Sequence, residues 1–195
     1  MASGAPENED DTQCTLEELD DIITQPAGGM TMLPNTAYDE VYDNLLVGDE
    51  SIARDLVQLR RLGVTHILNA AHGVDIHHVN TNEDMYTKLK VTFKGIEAID
   101  HMSFNLYPFF QESADFIQKA LDSGGKVLVH CIQGVSRSAT LAVAFLMLKC
   151  HMTVKDALRL VRSHREVCPN TGFQQQLIKL DSELRLQRNN KIQTE

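Results

Sequence analysis

The chain has 195 residues, with 43% hydrophobic and 23% charged side chains, close to globular averages. That excludes a wholly disordered chain, a collagen and a long solenoid, and allows one domain of ordinary size plus a short tail. The net charge of -9 is unevenly placed: residues 1–53 hold 13 Asp and Glu and no Lys or Arg, whereas the rest holds 14 acidic and 18 basic residues.

Residues 1–13 are polar and acidic, without a pattern that folds. Thr15 to Glu18 make a capping box, and Leu16, Leu19, Ile22 and Ile23 follow at helical spacing, so a short helix is predicted, broken by Gln25-Pro26-Ala27-Gly28-Gly29. Residues 41–47 read as a bent strand or hairpin around Asn44. Residues 49–62 read as one helix closed by Gly63. A strand is expected over 64–70. A polar loop with one helical turn follows over 72–86, then a second strand over 91–96. Residues 109–121 are amphipathic, with Ser123-Gly124-Gly125 as a stop. The short apolar strand 126–130 leads to 138–149, a segment apolar nearly all round and therefore a buried central helix. Helices over 153–162, with Thr153 as N-cap, and from 169–171 to about 186 complete the chain.

Strands alternating with helices indicate a single α/β domain, with a mostly parallel central sheet of about five strands flanked by helices. The expected division is an acidic N-terminal tail with a short helix over 1–34, a catalytic domain over 35–187 and a C-terminal tail over 188–195. No apolar run reaches the ~18 residues of a membrane helix, and the N-terminus has no basic and apolar leader pattern. No Lys/Arg block makes a nucleic-acid footprint. The expectation is therefore a soluble protein of the cytoplasm or nucleus, with no membrane and no nucleic-acid partner. The four cysteines have no Cys-x-x-Cys spacing, so they read as separate thiols.

The chemistry concentrates in His130-Cys131-Ile132-Gln133-Gly134-Val135-Ser136-Arg137-Ser138, between the buried strand and the buried helix. A strand-loop-helix turn aims several backbone N–H groups into one concavity at a helix N-terminus, which is an anion site. Gly134 allows a tight turn. Cys131 opens the loop, so its sulfur would lie at the base, where the same N–H groups favour the thiolate. Arg137 supplies a planar fork that holds two phosphoryl oxygens, and Ser138 brings a hydroxyl near the sulfur. Proton transfer to a leaving oxygen needs an acid, and Asp100, just after a strand, is the best candidate; an ordinary solvated loop carboxylate is the plainer reading.

This Cys-x5-Arg-Ser loop resembles the cysteine-dependent protein tyrosine phosphatase superfamily, and more closely its small atypical dual-specificity phosphatases of the VHR type. Similar blocks run through 46–49, 63–71, 79–82, 104–106, 144–147 and 169–173, so the resemblance covers about 35–187. It implies a dual-specificity protein phosphatase acting through a cysteinyl-phosphate, with phosphoprotein substrates, MAP kinases among them, and neither metal nor other cofactor. Cys131, Arg137, Asp100 and Ser138 are the implied catalytic residues, and 131–137 the implied phosphate-binding loop. His130 and Asn170 are implied supports. For Asn170 an N-cap role stands beside that one, and both are compatible. Arg165 aligns with an arginine that helps hold a second phosphate, with a solvated helix-end residue as the equal alternative. Glu97 reads as a structural ion-pair member. His66, His72, His77 and His78 lack partner ligands at metal spacing. Val135 stands where VHR-type loops carry a larger aromatic residue, and Phe145 where a Tyr is usual.

Rival readings are a phosphoprotein-binding module without turnover and a phosphatase for RNA or lipid phosphate. Intact Cys131, Arg137 and Asp100 oppose the first; the uncharged Ile132-Gln133 opposes the second. Monomer and weak dimer both stay open.

Overall fold

Residues 13–192 are described in a computed structural model of the chain. In chain order the elements are α1 (Leu16–Thr24), β1 (Tyr38–Tyr42), β2 (Leu45–Gly48), α2 (Glu50–Arg54), α3 (Leu56–Leu62), β3 (His66–Asn69), α4 (Glu83–Tyr86), β4 (Thr92–Gly95), α5 (Phe110–Asp122), β5 (Val127–His130), α6 (Arg137–Lys149), α7 (Val154–His164) and α8 (Thr171–Ile192).

The sheet has five strands in the order β1-β2-β5-β3-β4. β2, β5, β3 and β4 are parallel, and β1 is an antiparallel edge. The expected α/β architecture with a mostly parallel sheet is what forms. Side chains alternate between two cores, as strand geometry requires. Leu45, Val47, Leu68, Val127 and Val129 face α1 and α5–α8, whereas Leu46, Ile67 and Leu128 face α2, α3 and the buried Tyr86. β5 is buried at every position because it has helices on both faces and strands on both edges. α6 is buried from Arg137 to Met147, which explains its lack of a polar face.

Local chemistry sets the element ends. Asn44 takes φ 60° in the turn between β1 and β2, so 41–47 is a hairpin. The single helix expected over 49–62 is two. Asp55 leaves the helical region at φ -86°, ψ 83°, and its carboxylate accepts the Gln58 N–H at 2.9 Å, capping α3. Gly63 closes α3 at φ 72°. The last helix runs beyond 186, to Ile192, so a C-terminal tail beginning at 188 is not separated from it.

The boundary expected at 34/35 likewise does not divide the structure. The Thr15–Glu18 capping box forms, and α1 buries Leu19 and Ile23 in the main core. Each such side chain contributes about 1.5–3 kcal/mol. Glu18 meets Lys155 at 3.0 Å, and Arg162 Nε donates to the Ile23 carbonyl at 2.8 Å. Residues 1–12, the first part of the expected acidic tail, lie outside the described residues. No helix among the described residues is long and apolar enough to cross a membrane.

Candidate active site

The loops after β3, β4 and β5 all leave from the carboxyl ends of parallel strands, where open α/β sheets hold ligands. They border a cleft of about 600 Å³ whose lining includes Cys131, Ile132, Gln133, Val135, Ser136, Arg137, Asp100 and Asn170.

Cys131 directly follows β5 and is 1% exposed. Its Sγ accepts the Gly134 N–H at 3.2 Å and lies 3.3 Å from Ser138 Oγ. The loop's carbonyls are tied on the outside. Ile132 O accepts from Glu50 N–H (3.0 Å), Val135 O from Cys168 N–H (2.9 Å), and Gln133 O and Gly134 O from the Arg165 guanidinium (3.1 and 2.8 Å). With these carbonyls held outward, the peptide N–H groups turn inward and make a cradle for an anion. Gly134 is required at its turn: φ is +68°, and a Cβ there would lie 2.6 Å from the Gly48 carbonyl.

Arg137 is 3% exposed and fixed by both neighbouring loops. Its Nη1 donates to the His77 carbonyl at 2.9 Å and to the Ala98 carbonyl at 2.8 Å. Nε has no hydrogen-bond partner and lies 3.6 Å from Asp100 Oδ2. Ser136 is the N-cap residue of α6, yet its hydroxyl caps nothing; it donates to Asp100 Oδ1 at 2.8 Å. The first N–H groups of α6 therefore have no side-chain cap of their own, which suits an incoming anion. Asn170 Nδ2 donates to the same Asp100 oxygen at 2.8 Å, while its Oδ1 accepts the Phe173 N–H at the start of α8. Asn170 thus both caps a helix and holds the carboxylate.

His130 is fully buried beneath the loop. Burial pushes its imidazolium down to about 4, so the ring is neutral near pH 7. Its Nδ1 lies 3.3 Å from the Cys131 carbonyl. Burial also pushes the Cys168 thiol up, and this cysteine lines the same cleft as Cys131.

Arg165, implied as a ligand for a second phosphate, does not line the cleft. Its side chain is 0% exposed and pairs with Asp39 at 2.7 Å besides holding the two loop carbonyls. No donor of the kind a second phosphate needs points outward, because a buried guanidinium must be matched at home. Glu97 is exposed and takes part in no ion pair among the described residues. Sequence reasoning missed Asp39, whose role is visible only across the fold. It also missed the His77 carbonyl, a backbone group with no side-chain signature.

Residues 45–183 match the dual specificity phosphatase catalytic domain. The chain belongs to that family. It is 46% identical over 184 residues to human "Dual specificity protein phosphatase 26", covering 89% of this chain and 85% of the relative. The structure is similar to that of human DUSP28, with TM-score 0.69 and 26% identity over 79% of this chain and 99% of the other. It is also similar to a mouse putative dual specificity phosphatase in complex with zinc tungstate, with TM-score 0.68 and 25% identity over 83% of this chain and 96% of the other.

Proposed function

We propose that this dual-specificity phosphatase hydrolyses phosphotyrosine and phosphoserine or phosphothreonine in proteins through a cysteinyl-phosphate at Cys131. The observation that carries the reading is the Cys131 sulfur under the inward-facing loop amides, within reach of Ser138, in a cleft whose wall holds Asp100.

In the first step the Cys131 thiolate attacks phosphorus. An S–P bond forms and the P–O bond to the substrate breaks. Loop amides and the Nε edge of Arg137 receive the charge that develops on the phosphoryl oxygens. Asp100 gives its proton to the leaving oxygen. Because Oδ1 accepts from both Ser136 and Asn170, that proton rides on Oδ2, the oxygen beside Arg137. In the second step Asp100, now a carboxylate, takes a proton from water as its oxygen bonds phosphorus. The S–P bond breaks, and Ser138 stabilises the thiolate that leaves. MAP kinases enter as substrates, and cytoplasm or nucleus as the location, through the family resemblance alone.

Hydrolysis of p-nitrophenyl phosphate with EDTA present, between about pH 5 and pH 8, tests the reading. Activity is expected in the wild type, none in Cys131→Ser, and a loss of the fall-off toward neutral pH in Asp100→Asn. A folded, reduced wild type without activity overturns it in favour of a phosphoprotein-binding module.

A further inference from the structure

Nine large apolar side chains stand exposed among the described residues, and seven of them sit on three short segments. Met30, Met32 and Leu33 lie between α1 and β1. Val74 and Ile76 lie in the loop after β3. Ile99 and Met102 flank Asp100. Met32 and Leu33 line the cleft themselves; Ile76 and Ile99 do not, but each is next in sequence to a lining residue, His77 and Asp100. Scattered exposed apolar residues need no explanation, but a collar of them around one cleft does.

The charges beside the cleft point the same way. An adjoining groove of about 420 Å³ shares Leu33, Ile132 and Gln133 with it. The groove's other charged lining residues are Asp49, Glu50 and Arg165. Arg165 is spent on Asp39 and two carbonyls, Glu50 pairs with Arg54 at 3.4 Å and Asp49 caps α2, so the groove's own lining carries two carboxylates and no unpaired cation. A second phosphate or an acidic flank would meet repulsion there.

Resting on the reading proposed above, we infer that the collar binds the residues flanking the phosphorylated residue, and that the preferred substrate is singly phosphorylated with apolar flanks. The occupant is an extended stretch of phosphoprotein, because the collar is continuous with the cleft that must receive its phosphate. Side chains such as Leu or Met on either side of the phosphoresidue would be covered by Met32 and Leu33 on one side and Ile99 and Met102 on the other.

Three phosphotyrosine peptides of equal length test this, differing only in flanks: Leu and Met, Asp and Glu, or a phosphothreonine beside the phosphotyrosine. Each kcat/KM is divided by the same enzyme's value for p-nitrophenyl phosphate. The apolar peptide is expected to lead by about 10-fold. Met32→Ser with Leu33→Ser, and separately Ile99→Ser with Met102→Ser, are expected to shrink that lead severalfold. Calorimetric binding of the same peptides to Cys131→Ser reads the collar without turnover, so its failure is distinct from a failure of the phosphatase reading. An equal ranking, or preference for the acidic or doubly phosphorylated peptide, in kinetics or in binding, overturns the inference. So does a drop in self-association of the collar variants on sedimentation while the peptide ratios hold, which would make the collar a contact between two copies.

Discussion

Ser136 donates its hydroxyl to the Asp100 carboxylate at 2.8 Å across 36 positions of sequence, and thereby couples the Cys131–Ser138 loop to the loop that carries Asp100. Removing it leaves Asn170 as the side chain that donates to Asp100, beside the 3.6 Å ion pair with Arg137. Ser136→Ala is expected to lower kcat about 10-fold on phenyl phosphate and less on p-nitrophenyl phosphate, whose leaving group needs little protonation. Asp100→Asn should cost about 100-fold on phenyl phosphate. The measurement is kcat against leaving-group basicity, and equal losses on both substrates would count against an acid role.

Gly172 is the second residue of α8, and a Cβ there would lie 1.9 Å from the Met102 carbonyl of the loop that carries Asp100. That close approach is what lets the loop settle onto the helix and bring Asp100 to Asn170. Gly172→Ala should push the loop outward and reproduce the leaving-group pattern of Ser136→Ala while Cys131 still reacts with iodoacetate at the wild-type rate.

Ser138 Oγ lies 3.3 Å from the Cys131 sulfur, the leaving group of the second step proposed above. Ser138→Ala should slow breakdown of the cysteinyl-phosphate more than its formation. Rapid mixing with p-nitrophenyl phosphate should then show a burst of nitrophenol close to one per enzyme, followed by slow turnover.

Arg165 braces the phosphate loop from behind. Arg165→Ala removes the cation that pairs with Asp39 and the donor of two loop carbonyls, and should destabilise the protein by about 3 kcal/mol in denaturant unfolding. Arg165→Lys should rescue little, since one ammonium cannot reproduce the planar fork. If Arg165 instead held a second phosphate, its loss would raise KM selectively for doubly phosphorylated peptides and leave unfolding nearly unchanged.

His130 sets a stability slope at acid pH. Burial lowers its folded value from 6.5 to about 4. Between those values the unfolded chain binds the proton that the folded chain refuses. Stability therefore rises with pH through that window and is lost as pH falls from 6.5 toward 4, by at most about 3 kcal/mol; above 6.5 the residue adds no pH dependence. His130→Gln should flatten that part of the curve in urea unfolding followed by circular dichroism.

The order of strands and helices and the Cys131–Ser138 loop were legible in the sequence because their causes are local. A run such as Val127-Leu128-Val129 between glycine and a polar loop has few alternatives to a buried strand, and α6 announces its burial by lacking a polar face. Gly134 and Gly63 mark turns that a side chain would strain. Asp55, by contrast, splits a helix that periodicity alone joins, since a capping carboxylate competes with helix continuation.

What only the tertiary structure decided is which long-range partner each polar group takes. Arg165 finds Asp39 at 126 positions' distance, and this turns an apparent phosphate ligand into the brace of the loop. Asp100 is held by Ser136 and Asn170, and Arg137 by two backbone carbonyls that no side-chain pattern encodes. α1 becomes part of the core because α7 offers it Lys155 and Arg162. Local sequence determines elements through propensity, capping and periodicity, which act over a few residues. Burial forces every polar group to find a partner wherever the fold places one, and that choice exists only once the chain has closed on itself.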